Sequence, residues 1–443
     1  MEFEVLKRSR LKRNIIIGIA VVAIISAVIL NFTRAKYRTA QSMPLYNATV
    51  NYTPYDFKMV AMYQESDTGE YVSIDTVPTS GYTLNKESSY CEVGDTKDDS
   101  IVMKYENGIV NIGVSKKGTK CYLYFDVYVP LAKDTLLTYY PTVLTRTDFS
   151  TTVTNTTTGV IYKSADESQY DEDGEVYYFA GNPTDNWVSF AGYYWRIIRI
   201  NGDNTVRLIY NGTNTTTTGT GTQISTSGFN SSSGDNMYVG YMYTSGEVHG
   251  LGTSSTIKGV LDTWYSNNLS SYASYIDTNA GFCGDRSISP TSSGTGTGTT
   301  TTFYGASYRL YAENSASNAS PSFRCINSSD LYTVSSSNKG NNALTYPIGL
   351  ITADEVAYAG GVHGTNNSSY YLYTNQQYWA MTPYGFASGN NYVFVYSITP
   401  DGSIGFPIFI NSSYSVRPVI NLRADVTISS GDGSSTNPFV IET

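Results

Sequence analysis

Charge is scarce in this chain. Asp, Glu, Lys and Arg together make up 15% of its 443 residues, against about 25% in an ordinary soluble domain. Coiled coils and helical bundles, whose surfaces depend on Glu, Lys and Arg, are thereby disfavoured. Histidine occurs twice and cysteine four times, so a Cys/His zinc cluster would consume nearly all of them, and no Cys-x-x-Cys pair is present. What fills the chain instead is 41 Tyr together with long tracts of Ser, Thr, Asn and Gly. Tyr and Thr suit the pleated surface of strands, and Gly, Asn and Ser suit the turns between them. A hydrophobic fraction of 40% is enough to build cores, which excludes wholesale disorder.

Long hydrophobic runs are also lacking, with one exception. Residues 15–32 (IIIGIAVVAIISAVILNF) carry no charge, and 18 residues at about 1.5 Å each just reach across a membrane's hydrocarbon core. The run exceeds the usual apolar region of a cleavable signal peptide, about 7–15 residues, and no small-x-small exit follows it. Five basic residues precede it (Lys7, Arg8, Arg10, Lys12, Arg13) and three follow (Arg34, Lys36, Arg38). The expectation is a signal anchor over residues 1–38, single-pass in the cell membrane, with the N-terminus cytoplasmic and the bulk extracellular; a cleaved signal peptide is the main alternative. Without residues 1–38 the chain holds 20 basic and 35 acidic residues, a net charge of −15. Phosphate backbones would repel such a body, so no nucleic acid partner is expected.

The four cysteines fall as Cys91 and Cys121, then Cys283 and Cys325. Three pairings are possible; the two sequence-local ones fit the domain boundaries, and an oxidising compartment fits the anchor's topology. Five strand-like runs between Phe57 and Val129, with Glu106-Asn107-Gly108 as a hairpin signal, predict a small antiparallel β-sandwich over 39–130. Residues 131–180 read as linker or extended loop. A domain over 181–443 then opens with the hairpin Trp187–Ile200, Asn201-Gly202-Asp203-Asn204 and Val206–Tyr210. Ser254-Ser255-Thr256 predicts the start of a helix, and Thr352-Ala353-Asp354-Glu355 has the spacing of a capping box ahead of a stop at Gly360-Gly361. The Thr/Gly tract Thr291–Thr302 between them predicts an unstructured insertion. The fold class expected is therefore β-rich α+β, with about two helices in the last domain and a transmembrane helix at the start.

Three segments carry a resemblance: Trp195-Arg196-Ile197-Ile198, Tyr378-Trp379-Ala380-Met381-Thr382-Pro383, and Val416-Arg417-Pro418-Val419-Ile420, in that order. Together they resemble an uncharacterised domain of bacterial surface proteins. That domain is similar to C-type-lectin-like domains of the formylglycine-generating-enzyme and phage tropism-determinant kind. The Cys91/Cys121 module likewise resembles small modules in anchored surface proteins of Gram-positive gut bacteria. The resemblance implies a twisted, mostly antiparallel core and a ligand face built from loops. Here that face would hold Trp379, Tyr384, Phe386, Asn390, Asn391, Tyr392 and Tyr414. Tyr offers large contact area at low entropic cost, and Asn and Ser offer adaptable hydrogen bonds.

Catalytic signals are sparse. His249 and His363 both stand in Val-His-Gly, and neither adjoins a Gly-x-Ser-x-Gly elbow. The acidic loop Asp171-Glu172-Asp173-Gly174-Glu175 has its Gly at the fourth place, not the sixth of an EF-hand. No catalytic residue, metal or cofactor is expected. The function expected is binding or adhesion at a bacterial surface, toward an extracellular glycan or protein ligand. The alternatives are a cell-envelope enzyme, either a hydrolase or a formylglycine-type oxidase using a free Cys283 beside Cys325, and a purely structural surface component.

Overall fold

The computed structural model describes residues 57–443 except 65–68, 79–80, 107, 115, 312–314 and 406–408. The chain divides into two compact units, Met1–Val129 and Pro130–Thr443.

The first unit contains β1 (Lys58–Gln64), β2 (Tyr71–Ile74), β3 (Tyr82–Leu84), β4 (Tyr90–Val93), β5 (Thr96–Lys97), β6 (Met103–Glu106), β7 (Ile109–Ile112) and β8 (Thr119–Val127). The main sheet runs β2-β1-β8-β4-β5, with β3 also on β8, and β6–β7 form a separate hairpin. Along β8, Cys121, Leu123 and Phe125 alternate inward, as period-2 patterning requires. β1 and β8 are parallel, pairing Met59 with Cys121 and Ala61 with Leu123, so the buried apolar positions of both strands share one face. An all-antiparallel sandwich was expected, and this parallel pair corrects it; strand direction is set by nonlocal packing that alternation alone does not report. Cys91 and Cys121 face each other across β4 and β8 and form a disulfide.

The second unit opens with α1 (Ala132–Tyr139), β9 (Thr142–Thr145), β10 (Val160–Lys163) and β11 (Tyr177–Tyr178). Residues 131–180 are thus part of this unit's architecture and not a linker; within their Thr-rich stretch, Thr156–Thr157 pair with Asn182–Pro183. β12 (Trp187–Phe190), β13 (Tyr193–Ile200) and β14 (Val206–Gly212) follow, and β13–β14 is the expected hairpin. Next come β15 (Ser225–Ser227), α2 (Thr256–Asn268), β16 (Phe282–Cys283), β17 (Thr302–Phe303), α3 (Gly305–Tyr311), β18 (Leu331–Tyr332) and α4 (Ala353–Ala359). The chain closes with β19 (Tyr378–Ala387), β20 (Tyr392–Ile398), β21 (Ile404–Gly405), β22 (Tyr414–Val416), β23 (Val419–Leu422), β24 (Ile428–Ser430) and β25 (Phe439–Ile441).

These strands form two principal sheets. One runs β24-β25-β12-β13-β11-β10-β9, with β14 joining β13 to β23; the other runs β15-β22-β19-β20-β21, with β17 on β19. A single apolar core joins them, centred on Trp195 and Trp379, both fully buried. At about 25 cal/mol per Å², burying an indole of 150–250 Å² stabilises by roughly 4–6 kcal/mol as an upper estimate. The Ser255 hydroxyl accepts from the Lys258 N–H and starts α2. At α4 the capping box is complete, Thr352 Oγ1 accepting from Glu355 N at 3.1 Å and Glu355 Oε2 from Thr352 N at 2.9 Å. Gly360, at φ +110°, then ends the helix.

Three expectations are corrected. From residue 181 onward there are three α-helices among the described residues, not two, because α3 forms directly after the Thr/Gly tract. That tract is itself anchored: Asn236 Nδ2 donates to the carbonyls of Gly298 and Thr300, and Thr302 is fully buried. Finally, the expected fold class included a transmembrane helix. Among the described residues no helix is long and apolar enough to cross a membrane; the longest α-helix, α2, has 13 residues, about 20 Å at 1.5 Å each. The run 15–32, on which that expectation rested, lies outside the described residues. Two disulfides and a β-rich fold stand.

Candidate functional site

Three groups of side chains stand out, all in the second unit. The first is the outer face of the sheet containing β19 and β20. Successive side chains on a strand point to opposite faces. On β20, Val393 and Val395 are fully buried, while Tyr392 and Phe394 lie half-buried on the other side. On β19 the register shifts between the pairs Pro383–Val395 and Gly385–Phe394. Tyr384 is the extra residue in that bulge, and bulges commonly re-aim a side chain. Its ring meets Phe303 at 5.7 Å, Phe394 at 6.1 Å and Tyr396 at 5.3 Å, all edge-on. Gly385 makes the arrangement possible: a Cβ there would come within 2.9 Å of the Phe303 ring. Tyr392 packs edge-on against Phe409 at 5.1 Å, and Phe409 is 47% exposed.

The seven residues expected on a ligand face therefore divide. Tyr384 and Tyr392 lie on this aromatic face, and Asn390 and Asn391 are exposed in the turn beside it, Asn391 at φ +54°. Trp379 and Phe386 are fully buried core. Trp379 donates its indole N–H to the Ser227 carbonyl at 2.7 Å, and Tyr414 stacks edge-on against it at 5.2 Å. Phe303 and Phe394 were not singled out from sequence. Alternation in Tyr392-Val393-Phe394-Val395-Tyr396 contained the signal for Phe394; Phe303 sits at the end of a low-complexity tract and had none.

The second group is an ionic pocket. Arg199 bridges Asp171 (3.1 Å) and Glu355 (3.0 Å), and Arg207 lies 2.6 Å from the same Glu355 oxygen. Arg309 bridges Asp285 at 2.7 Å and Asp354 at 3.0 Å, and Lys339 bridges Asp173 and Asp203 at 2.6 and 3.0 Å. Burial pushes the Glu355 carboxyl up, and the two guanidiniums outweigh it, so it titrates below its ordinary range. About 30 Å³ of free space lies among these groups, room for one or two waters. The acidic segment around Asp171 thus serves as an internal partner for arginine. Among the described residues no group of His, Cys, Asp and Glu is arranged to hold a metal ion.

The histidines form the third group. His249 Nδ1 lies 2.9 Å from the buried Asp330 carboxylate, which also accepts from Arg286 Nε at 2.9 Å and Arg286 N at 2.7 Å. His249 Nε2 lies 3.2 Å from the Asn327 amide nitrogen. That amide is oriented by its own oxygen, which accepts from Ser329 N. His363 stacks on Tyr311 at 4.1 Å, and burial pushes its imidazole down to about 4. The two histidines belong to separate clusters. Cys283 and Cys325 are bonded to each other, so the free-thiol pair required by the oxidase alternative is not present.

Arg417, from the Val-Arg-Pro segment, is structural. Fully buried, it donates to the carbonyls of Tyr210 (3.2 Å) and Leu372 (3.3 Å) and to Asn211 Oδ1 (3.1 Å), tying β22 and β23 to β14. Comparison with protein-family models, with curated proteins and with solved structures finds no match for this chain.

Proposed function

We propose that this chain is an extracellular binding or adhesion protein, and that its second unit recognises a ligand without chemical transformation. The observation that carries the reading is the aromatic face of β17, β19 and β20. Phe303, Tyr384, Phe394 and Tyr392 remain partly open to solvent although each ring is already held by another ring. Rings fixed in this way lose little conformational freedom when a ligand arrives, which is how binding surfaces gain affinity from aromatic residues. In the pocket, by contrast, Arg199, Arg207, Arg309 and Lys339 are engaged with the carboxylates around them. Two disulfides are consistent with work outside the reducing cytoplasm.

The test is a mixed glycan and protein array probed with the full chain and with Tyr384→Ser and Tyr392→Ser. The reading expects specific binding that both substitutions weaken. Binding that neither substitution changes, with both variants folded, overturns it.

A further inference from the structure

Resting on that reading, we infer that the ligand of the aromatic face is a neutral glycan chain, its apolar C–H faces set against the exposed parts of the Tyr384, Phe394 and Phe303 rings. Three observations lead there.

Charge comes first. Between Glu355 and Asp401 the sequence contains no Asp, Glu, Lys or Arg, and none occurs between Arg286 and Arg309. Those two segments supply β17, β19 and β20 and the turns beside them. A phosphate, a uronate or a charged peptide would find no counter-ion on these strands, and recognition of such ligands depends on fixed opposite charge. An uncharged ligand loses nothing there.

Shape comes second. The rings are half-buried and lie on a sheet face, re-aimed at Tyr384 by the bulge and brought close at Phe303 by Gly385. With rings of about 150–250 Å² each at no more than about a third exposed, the open ring area is at most roughly 300 Å². That is well below the roughly 800 Å² per partner of a stable protein interface. It is ample for a sugar ring, whose C–H face is apolar and flat.

Hydrogen bonding comes third. A pyranose carries hydroxyls around an apolar face, and this platform has the complementary border. Thr301 and Ser388 hydroxyls lie 2.6 Å apart at one side, and Asn390 and Asn391 stand exposed in the β19–β20 turn. Hydroxyl and amide groups both donate and accept, matching sugar hydroxyls in either sense.

The experiment is affinity electrophoresis of the full chain through gels containing soluble neutral polysaccharides of gluco-, manno-, galacto- and xylo-type. A gel containing an acidic uronate polymer and an array of proteins run alongside. The inference expects retardation in at least one neutral gel and none in the acidic one, unchanged by 0.5 M salt, where charges are screened beyond about 4 Å. Tyr384→Ser and Phe394→Ser should each weaken retention about tenfold, the size of one lost ring contact. Tyr384→Phe, which keeps the ring and the fold, should retain it. Binding confined to the protein array, and sensitive to Tyr384→Ser, overturns the glycan inference while leaving the recognition reading standing. Binding to the acidic polymer alone overturns the inference. Absence of binding to every probe overturns both.

Discussion

Removing the carboxylate of Glu355 is the most revealing perturbation of the scaffold. Its side chain lies at the meeting point of Arg199 (3.0 Å) and Arg207 (2.6 Å), is 2% exposed, and closes the capping box of α4 through Thr352 N at 2.9 Å. Glu355→Ala leaves two buried guanidiniums short of a counter-charge. Breaking one buried pair costs about 3–5 kcal/mol, and losing a cap adds about 1 kcal/mol. The expected loss is therefore about 4–6 kcal/mol, a large part of the 5–15 kcal/mol that typically holds a domain folded. Glu355→Gln separates the two contributions, because its amide oxygen still caps the helix while the charge is gone. It should cost about 1 kcal/mol less than Glu355→Ala. All four tryptophans, Trp187, Trp195, Trp264 and Trp379, lie in the second unit, so urea unfolding followed by tryptophan fluorescence reports on that unit alone. A shift in midpoint at unchanged slope gives the energy. A loss below about 2 kcal/mol for Glu355→Ala would refute the argument that this carboxylate neutralises the buried arginines. The same carboxyl titrates lower when folded than its ordinary 4.5, so its contribution is complete above that pH and is lost as pH falls below it.

Three further outcomes follow from the structure. Replacing Cys283 and Cys325 by Ser reopens a 42-residue loop that carries β17 and α3 and should cost about 2–5 kcal/mol by the same assay. His363 is pushed down to about 4 when folded, from 6.5, so the unfolded chain binds its proton first. Stability should be complete above pH 6.5 and decline toward pH 4, by about 1–2 kcal/mol after allowance for partial exposure; His363→Gln should flatten that part of the pH profile. Gly360→Ala places a Cβ 2.8 Å from that of Val153 at φ +110°, and differential scanning calorimetry should show a loss of more than about 1 kcal/mol.

Local signals in the sequence carried far, and nonlocal ones did not. The β13–β14 hairpin, the capping box at Thr352 and the two sequence-local disulfides are each written within a few tens of residues. The ionic pocket is different, gathering Asp171, Arg199, Arg207, Asp285, Arg309, Asp354 and Glu355 from five stretches of chain with no fixed spacing. Only the fold brings them together. The parallel pairing of β1 with β8 is nonlocal in the same way. The stretch from Tyr384 to Tyr392, expected on a ligand face, lies on β19, β20 and the turn between them. It did not distinguish inward from outward rings, because a bulge at Tyr384 changes which residues share a face. Trp379 and Phe386 consequently belong to the core, while Phe394 and Phe303 belong outside. Anchoring of the Thr/Gly tract rests on hydrogen bonds from Asn236, a partner more than sixty residues away.

The most direct test of the central claim is retention of the full chain in a neutral polysaccharide gel, compared with Tyr384→Ser in the same gel. Retarded migration that falls about tenfold with the substitution, in a variant that still unfolds in one cooperative thermal transition above the assay temperature, is the predicted result. Equal retention of both proteins would contradict it, because the ring that meets Phe303, Phe394 and Tyr396 would then play no part in recognition.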